Sequence, residues 1–137
     1  MIIEFKKTHL KDIKVQQEQK SELKNAYSDI LEHDTIYTLL IQNKPMAILG
    51  LVEILPQVAN IWGLISKDIS ITALLFLVKE FKRNKILRKY KRLQITCQTN
   101  FINANRLCTI LGMQLETPNG MMNYNGHDSY NLYSYMP

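Results

Sequence analysis

The apolar and polar positions of the chain alternate between two rhythms, one with the period of a strand and one with that of a helix. Ile2 to Phe5 alternates weakly and predicts a short first strand. Thr8 to Val15 predicts a helix start, with Thr8 as its cap and Leu10 and Ile13 on its apolar side. Gln19 to Leu31 sets Leu23, Ala26, Tyr27 and Ile30 at helical spacing and predicts a second helix. From Asp34 to Gln42 the chain turns β-branched and aromatic. Asn43-Lys44-Pro45 is turn chemistry, and Met46 to Leu55 is a second apolar run, so the two runs predict a hairpin. Pro56-Gln57 marks the next turn. Val58 to Ile65, which holds the lone Trp62, predicts a third antiparallel strand beside the first two.

The polar–apolar connector Ser66 to Thr72 offers several helix caps. A long helix is expected from Ala73 to about Tyr90, with Leu74, Leu77, Val78, Phe81 and Leu87 turned inward. Leu93 to Thr99 predicts a strand and Ile102 to Leu111 a helix, with Gly112 where a C-cap glycine is wanted. Met113 to Thr117 and Ser129 to Tyr135 predict two last strands, joined by the loop Pro118 to Asp128. The order β-α-α-β-β-β-α-β-α-β-β predicts a mixed α/β (α+β) fold with a central, mainly antiparallel sheet flanked by helices. No repeat, Pro/Gly-rich linker or low-complexity block divides it, so residues 1–137 are expected to form a single domain.

Composition narrows the class. With 46% hydrophobic and 21% charged residues, the 137-residue chain is neither disordered nor collagen-like. Its longest apolar-rich stretch, Ile69 to Val78, is about half a membrane span and is broken by Ser70 and Thr72. The start Met-Ile-Ile-Glu-Phe-Lys-Lys has no secretory pattern, so a cytoplasmic protein without membrane contact is expected. Cys97 and Cys108 have neither CxxC spacing nor a histidine at a ligand interval. They read as small buried hydrophobes, and no metal site is expected.

The net charge of +5 is unevenly placed. Lys79, Lys82, Arg83, Lys85, Arg88, Lys89, Lys91 and Arg92 face only Glu80, a local +7 that leaves −2 for the rest of the chain. No aromatic residues interleave with these bases as a base-stacking platform needs, and lysine outnumbers arginine. The run reads as the solvated end of a helix and at most a partner-binding surface; nucleic acid is disfavoured.

The run Asn103-Ala104-Asn105-Arg106-Leu107-Cys108-Thr109-Ile110-Leu111-Gly112-Met113 resembles the late helix of the GNAT superfamily of N-acetyltransferases, in which a small residue, Arg-Leu and Leu-Gly-Phe recur at these intervals. Ala104, Leu107 and Leu111 form a stripe that packs on a sheet. Trp62-Gly63-Leu64-Ile65 resembles the family's strand that bonds the pantetheine arm of the cofactor. A narrower likeness is to the small GNAT-like proteins of short-tailed phages, related to the internal virion protein family. It is carried by Ser21-Glu22-Leu23-Lys24-Asn25-Ala26, Pro45-Met46-Ala47-Ile48-Leu49-Gly50 and Ala59-Asn60-Ile61-Trp62-Gly63-Leu64.

The resemblance implies transfer of an acetyl group from acetyl-CoA to a small-molecule or protein amine. It implies that Trp62, Gly63, Leu64 and Ile65 hold the thioester arm and that Lys67, Ser70, Ile71 and Thr72 lodge the pyrophosphate. Asn103 and Arg106 then lie on the cofactor side. Three departures stand against the family pattern. Ser66 to Ala73 has none of the glycines that let a backbone cradle pyrophosphate, Cys108 stands where a proton-donating Tyr is usual, and the usual Asn falls on Phe101.

A general base is also needed. Glu53 is the only acid of the central strands after Asp34, and it is a candidate if strand alternation turns it inward; turned outward it is a solvated surface residue. His9 and His33 have no evident partners, and His127 in the last loop reads as surface decoration or, alternatively, as a residue lining a cleft. Tyr124, Tyr130, Tyr133 and Tyr135 give the last segment an aromatic cast that suits packing or a protein-binding surface. Two functions remain open at this stage. One is an acetyl-CoA-dependent N-acyltransferase; the other is a non-catalytic GNAT-fold phage virion or host-interaction protein with a protein partner or a second copy of itself.

Overall fold

The computed structural model describes residues 1–20, 23–24 and 35–137. Its elements are β1 (Ile2–Glu4), α1 (Thr8–Asp12), a 3₁₀ turn (Gln17–Gln19), β2 (Ile36–Ile41), β3 (Lys44–Leu55), β4 (Val58–Ile65), α2 (Ile71–Arg83), a second 3₁₀ turn (Leu87–Lys89), β5 (Arg92–Gln98), α3 (Ile102–Ile110), β6 (Gln114–Leu115) and β7 (Tyr130–Tyr135). The strands form one mixed sheet in the order β1-β2-β3-β4-β5-β7-β6. This is the expected mixed α/β class. The described residues cluster into two compact units interleaved along the chain, Met1–Val52 with Ile61–Leu74, and Glu53–Asn60 with Leu75–Pro137.

In the first unit, β1 and β2 pair antiparallel (Ile2 with Leu39, Glu4 with Tyr37), and β2 pairs antiparallel with β3 from Ile36–Gly50 to Ile41–Lys44. The hairpin turn falls on Gln42 and Asn43, one residue earlier than the Asn43-Lys44-Pro45 of the sequence reading. Both have positive φ, 52° and 62°. That is the two-residue turn whose twist matches the flanking strands, so it wins over the proline signal. Pro45 falls inside β3, beside the register shift between Leu39 and Leu40, where a missing N–H is tolerated. Leu10, Ile13, Val15, Ile36, Ile48 and Leu64 make the core, with Phe5, Leu23 and Trp62 packed on it.

Helix α1 is shorter than the expected Thr8–Val15. Ile13 leaves it in an extended conformation, and Val15 instead bridges antiparallel to Ser66. Thr8 does not cap it. Lys7 holds the cap position with no side-chain bond, and His9 Nδ1 accepts the Lys6 N–H at 3.0 Å. Of the expected helix Gln19–Leu31, most lies outside the described residues; Lys20, Leu23 and Lys24 are helical.

In the second unit, β4 and β5 run parallel through Val58–Arg92, Ala59–Leu93 and Asn60–Gln94, and β5 pairs antiparallel with β7 from Leu93–Tyr135 to Gln98–Tyr130. Short β6 pairs with β7. The core is Val78, Cys97, Cys108, Leu111, Met113 and Tyr133, covered by Phe81, Ile95, Ala104, Leu107 and Tyr135. Helix α3 ends as its sequence predicts. Gly112 (φ 84°) sends its N–H to Thr109 C=O, and Met113 N–H reaches Cys108 C=O, the paired bonds of a glycine-terminated helix.

The long helix does not reach Tyr90. It stops at Arg83 because Asn84 Oδ1 accepts the N–H groups of Ile86 (2.8 Å) and Leu87 (3.3 Å), a local turn that competes with helix continuation. The basic run therefore spans the end of α2, the Leu87–Lys89 turn and the start of β5. There Arg92 Nη2 meets Glu116 Oε2 at 2.7 Å. The Ser134 hydroxyl, with Arg92, holds the Glu116 carboxyl below the usual carboxylate range.

Candidate functional site

The richest polar arrangement in the first unit lies along β4 and the connector after it. Strand peptide groups alternate between two edges. Ser66 N–H bonds Met46 C=O of β3 at 2.8 Å, so Gly63 and Ile65 turn their groups to the opposite edge. That edge is met by the chain's own segment 14–19. Lys67 N–H donates to Lys14 C=O at 2.8 Å, and Val15 bridges Ser66. Gln19, only 6% exposed, completes it: Nε2 donates to Gly63 C=O at 2.7 Å, and Oε1 accepts Ile65 N–H at 3.0 Å.

Of the residues read from the sequence, Trp62, Gly63, Leu64 and Ile65 are brought onto this strand. Trp62 and Leu64 join the unit's core. A Cβ on Gly63 would come within 2.9 Å of Leu49 Cδ2, so glycine here keeps neighbouring strands in contact. The connector is built by serines. Ser66 Oγ accepts Asp68 N–H at 3.1 Å. Ser70 caps α2, its Oγ accepting Ala73 N–H at 3.1 Å and its C=O accepting Leu74 N–H at 3.0 Å. Ile71 and Thr72 follow in the first turn, both exposed, and Lys67 is exposed beside them. The strand edge thus offers a carbonyl and an N–H to an amide, and the helix start offers backbone N–H groups to an anion.

The remaining expected residues lie in the second unit. Glu53 is exposed, and its Oε1 accepts Gln57 N–H at 3.1 Å, so strand alternation does not turn it inward; its carboxylate closes the β3–β4 turn. Asn103 and Arg106 are exposed on α3. Cys108 is buried, and the neighbouring Cys97 and burial hold its thiol far above the usual range. His127 is exposed and lies 3.2 Å from Asp128. Among the described residues no three His, Cys, Asp or Glu side chains gather as metal ligands would. Among them also, no helix is long and apolar enough to cross a membrane.

Three residues escaped the sequence reading. Gln19 is one. Asn105 is another. Its Nδ2 donates to Gln98 C=O (2.9 Å) and Phe101 C=O (2.8 Å), and its Oδ1 accepts from Asn131 Nδ2 (2.7 Å), Tyr133 Oη (2.8 Å) and Cys97 Sγ (3.5 Å). It ties α3 to β5 and β7 through one side chain. Tyr133 is the third, a buried phenol pushed up by desolvation. The sequence signals were the position of Asn105 inside the Asn103–Met113 run and that of Tyr133 in the aromatic last segment, neither of which showed the hydrogen bond between them.

Comparison with solved structures places the architecture. A putative phosphinothricin N-acetyltransferase superposes with a TM-score of 0.75 at 9% identity, covering 99% of this chain and 97% of that one. A Bacillus subtilis acetyltransferase in complex with CoA gives 0.67 at 12% identity, covering 100% and 97%. A GNAT-family acetyltransferase from Bacillus anthracis gives 0.64 at 14%, covering 98% and 93%. The fold is that of the GNAT acetyltransferases. At these identities the likeness concerns the GNAT fold and leaves the chemistry to the residues. No family model matches the chain, and no curated protein does.

Proposed function

We propose that the chain is an acyl-CoA-dependent N-acyltransferase that moves an acetyl group from acetyl-CoA to the amine of a small molecule or a protein. The observation that supports this most is the run from Ile61–Ile65 at the end of β4 through the connector into the first turn of α2, all within the first unit of a GNAT fold. An edge that presents Gly63 C=O and Ile65 N–H runs directly into a helix start whose first turn carries Ile71 and Thr72.

In this reading Trp62–Ile65 receives the amide-bearing pantetheine arm, and Lys67 with the backbone around Ser70, Ile71 and Thr72 receives the pyrophosphate. When bound, the cofactor supplies an activated thioester carbonyl, which the amine attacks as the C–S bond breaks. The chain's own work is then to align the two reactants and to move protons. Glu53, turned outward with its carboxylate closing the β3–β4 turn, and Cys108, buried in a core with its thiol held far above the usual range, do not fit the roles of base and proton donor.

A second reading is a non-catalytic GNAT-fold protein, phage-encoded and working in a virion or on a host partner. It is favoured by the glycine-free connector and by the occupation of the β4 edge by segment 14–19. Calorimetric titration with acetyl-CoA separates the two, with thermal melting alongside. An acyl donor present at 100 times its Kd stabilises by about 2.7 kcal/mol. Absence of both heat and melting shift at millimolar acetyl-CoA would overturn the enzyme reading in favour of the second.

A further inference from the structure

We infer that Gln19 is a built-in stand-in for the acyl donor on β4, and that the donor binds by displacing it; this rests on the acyl-CoA reading above. In a parallel ladder one residue of the neighbouring strand donates its N–H to the carbonyl of residue i−1 and accepts from the N–H of residue i+1. The Gln19 carboxamide makes that pair of bonds with Gly63 and Ile65, at 2.7 and 3.0 Å. Only a primary carboxamide, among side chains, holds a neutral donor and acceptor side by side. An extended chain of secondary amides, such as a pantetheine arm, needs the same two groups.

Both cannot be served at once. Ile65 N–H is a single donor, and Gln19 fills it from a nearly buried position. The carboxamide is held there by backbone on one side. Lys14 and Val15 pair with Lys67 and Ser66, and the Gln17–Gln19 turn delivers the side chain to the strand. With no ligand on the edge, this contact satisfies two half-buried peptide groups that would otherwise be left without a protein partner. With a donor arriving, the same contact is a competitor that lowers its affinity. The Gln19 side chain must rotate away, and the Lys14–Val15 pairing can remain.

The test compares the wild-type chain with Gln19→Ala, and with Glu18→Ala as a control on the exposed side of the same turn. Acetyl-CoA is titrated by calorimetry, and backbone amide exchange is followed by NMR. The expected result is about tenfold tighter binding to Gln19→Ala, the order of one net hydrogen bond, with no change for Glu18→Ala. Ile65 N–H should exchange faster in unliganded Gln19→Ala and become protected again on adding acetyl-CoA.

If Gln19→Ala and wild type bind equally, the inference falls while the acyl-donor reading stands. If neither binds at millimolar acetyl-CoA, both fall. Should Gln19→Ala fail to fold, the wild type decides. Its Gln19 side-chain amide resonances must move when acetyl-CoA binds, and binding that leaves them unmoved overturns the inference.

Discussion

The indole of Trp62 lies against the bare Cα of Gly50, so closely that a Cβ built on Gly50 would fall inside the ring. The two residues sit on successive strands, and Trp62 packs on the core formed by Ile36, Ile48 and Leu64. Glycine is required at position 50 by space alone; its φ is ordinary. Gly50→Ala should destabilise by about 1–3 kcal/mol or more, the range for overpacking a filled core. Denaturant unfolding measures this. Adding Trp62→Leu should recover part of the loss, and additive costs for the two changes would refute a direct clash.

A pH dependence is expected from His9. Burial, then the nearby Lys6 charge, holds its imidazole below the usual pKa of 6.5, against a weaker opposing pull from Asp12. Nδ1 accepts the Lys6 N–H and lies 2.8 Å from Thr38 Oγ1, so the neutral ring fits the site. The unfolded chain takes up the proton first. Stability should therefore fall as pH drops below about 6.5 and level off once the native ring also titrates. Melting curves between pH 7.5 and 5 should lose this slope in His9→Gln. Parallel curves for the two proteins would assign the slope elsewhere.

Asn105 concentrates five hydrogen bonds in one side chain. Asn105→Leu would strand the Tyr133 hydroxyl and the Gln98 carbonyl together. A cost of about 2–4 kcal/mol is expected, since each unsatisfied buried group costs about 1–3 kcal/mol. Asn105→Asp should also destabilise, because a carboxylate would face two carbonyl oxygens. Urea unfolding of the two variants checks both, and a near-neutral Asn105→Leu would show that water replaces the network.

Ser70 caps α2 through Ala73 N–H. Ser70→Ala should cost about 1 kcal/mol and Ser70→Gly only a few tenths. That rank order distinguishes a capping role from simple loss of a side chain, and thermal melting reads it directly. Equal effects from the two substitutions would argue against the cap.

Local pattern alone carried most of the architecture. Among the described residues, the order of strands and helices, the two hairpins and the glycine-terminated end of α3 follow from alternation, turn chemistry and one glycine, because each is decided by neighbours within a few residues. Boundaries failed where a side chain competed with the backbone. Asn84 ends α2 at Arg83, and the positive-φ pair Gln42-Asn43 takes the hairpin turn from the prolyl signal beside it. Thr8 looked like a cap, yet the acceptor is His9.

The candidate site divides the same way. Trp62–Ile65 and the Ser66–Thr72 connector were legible, since a strand leading into a capped helix is a local pattern. Glu53 was left open by sequence, and its exposed place at the β3–β4 turn came from the structure. Gln19 bonds Gly63 and Ile65 across 44 and 46 residues, and Asn105 reaches Asn131 and Tyr133 across 26 and 28. A polar side chain carries no periodic mark of its eventual partner. The sequence by itself determined which segments are strands and helices and which strand edge meets a helix start. Only the tertiary structure decided what occupies that edge, because hydrogen-bond partners far apart in sequence are chosen when the elements pack.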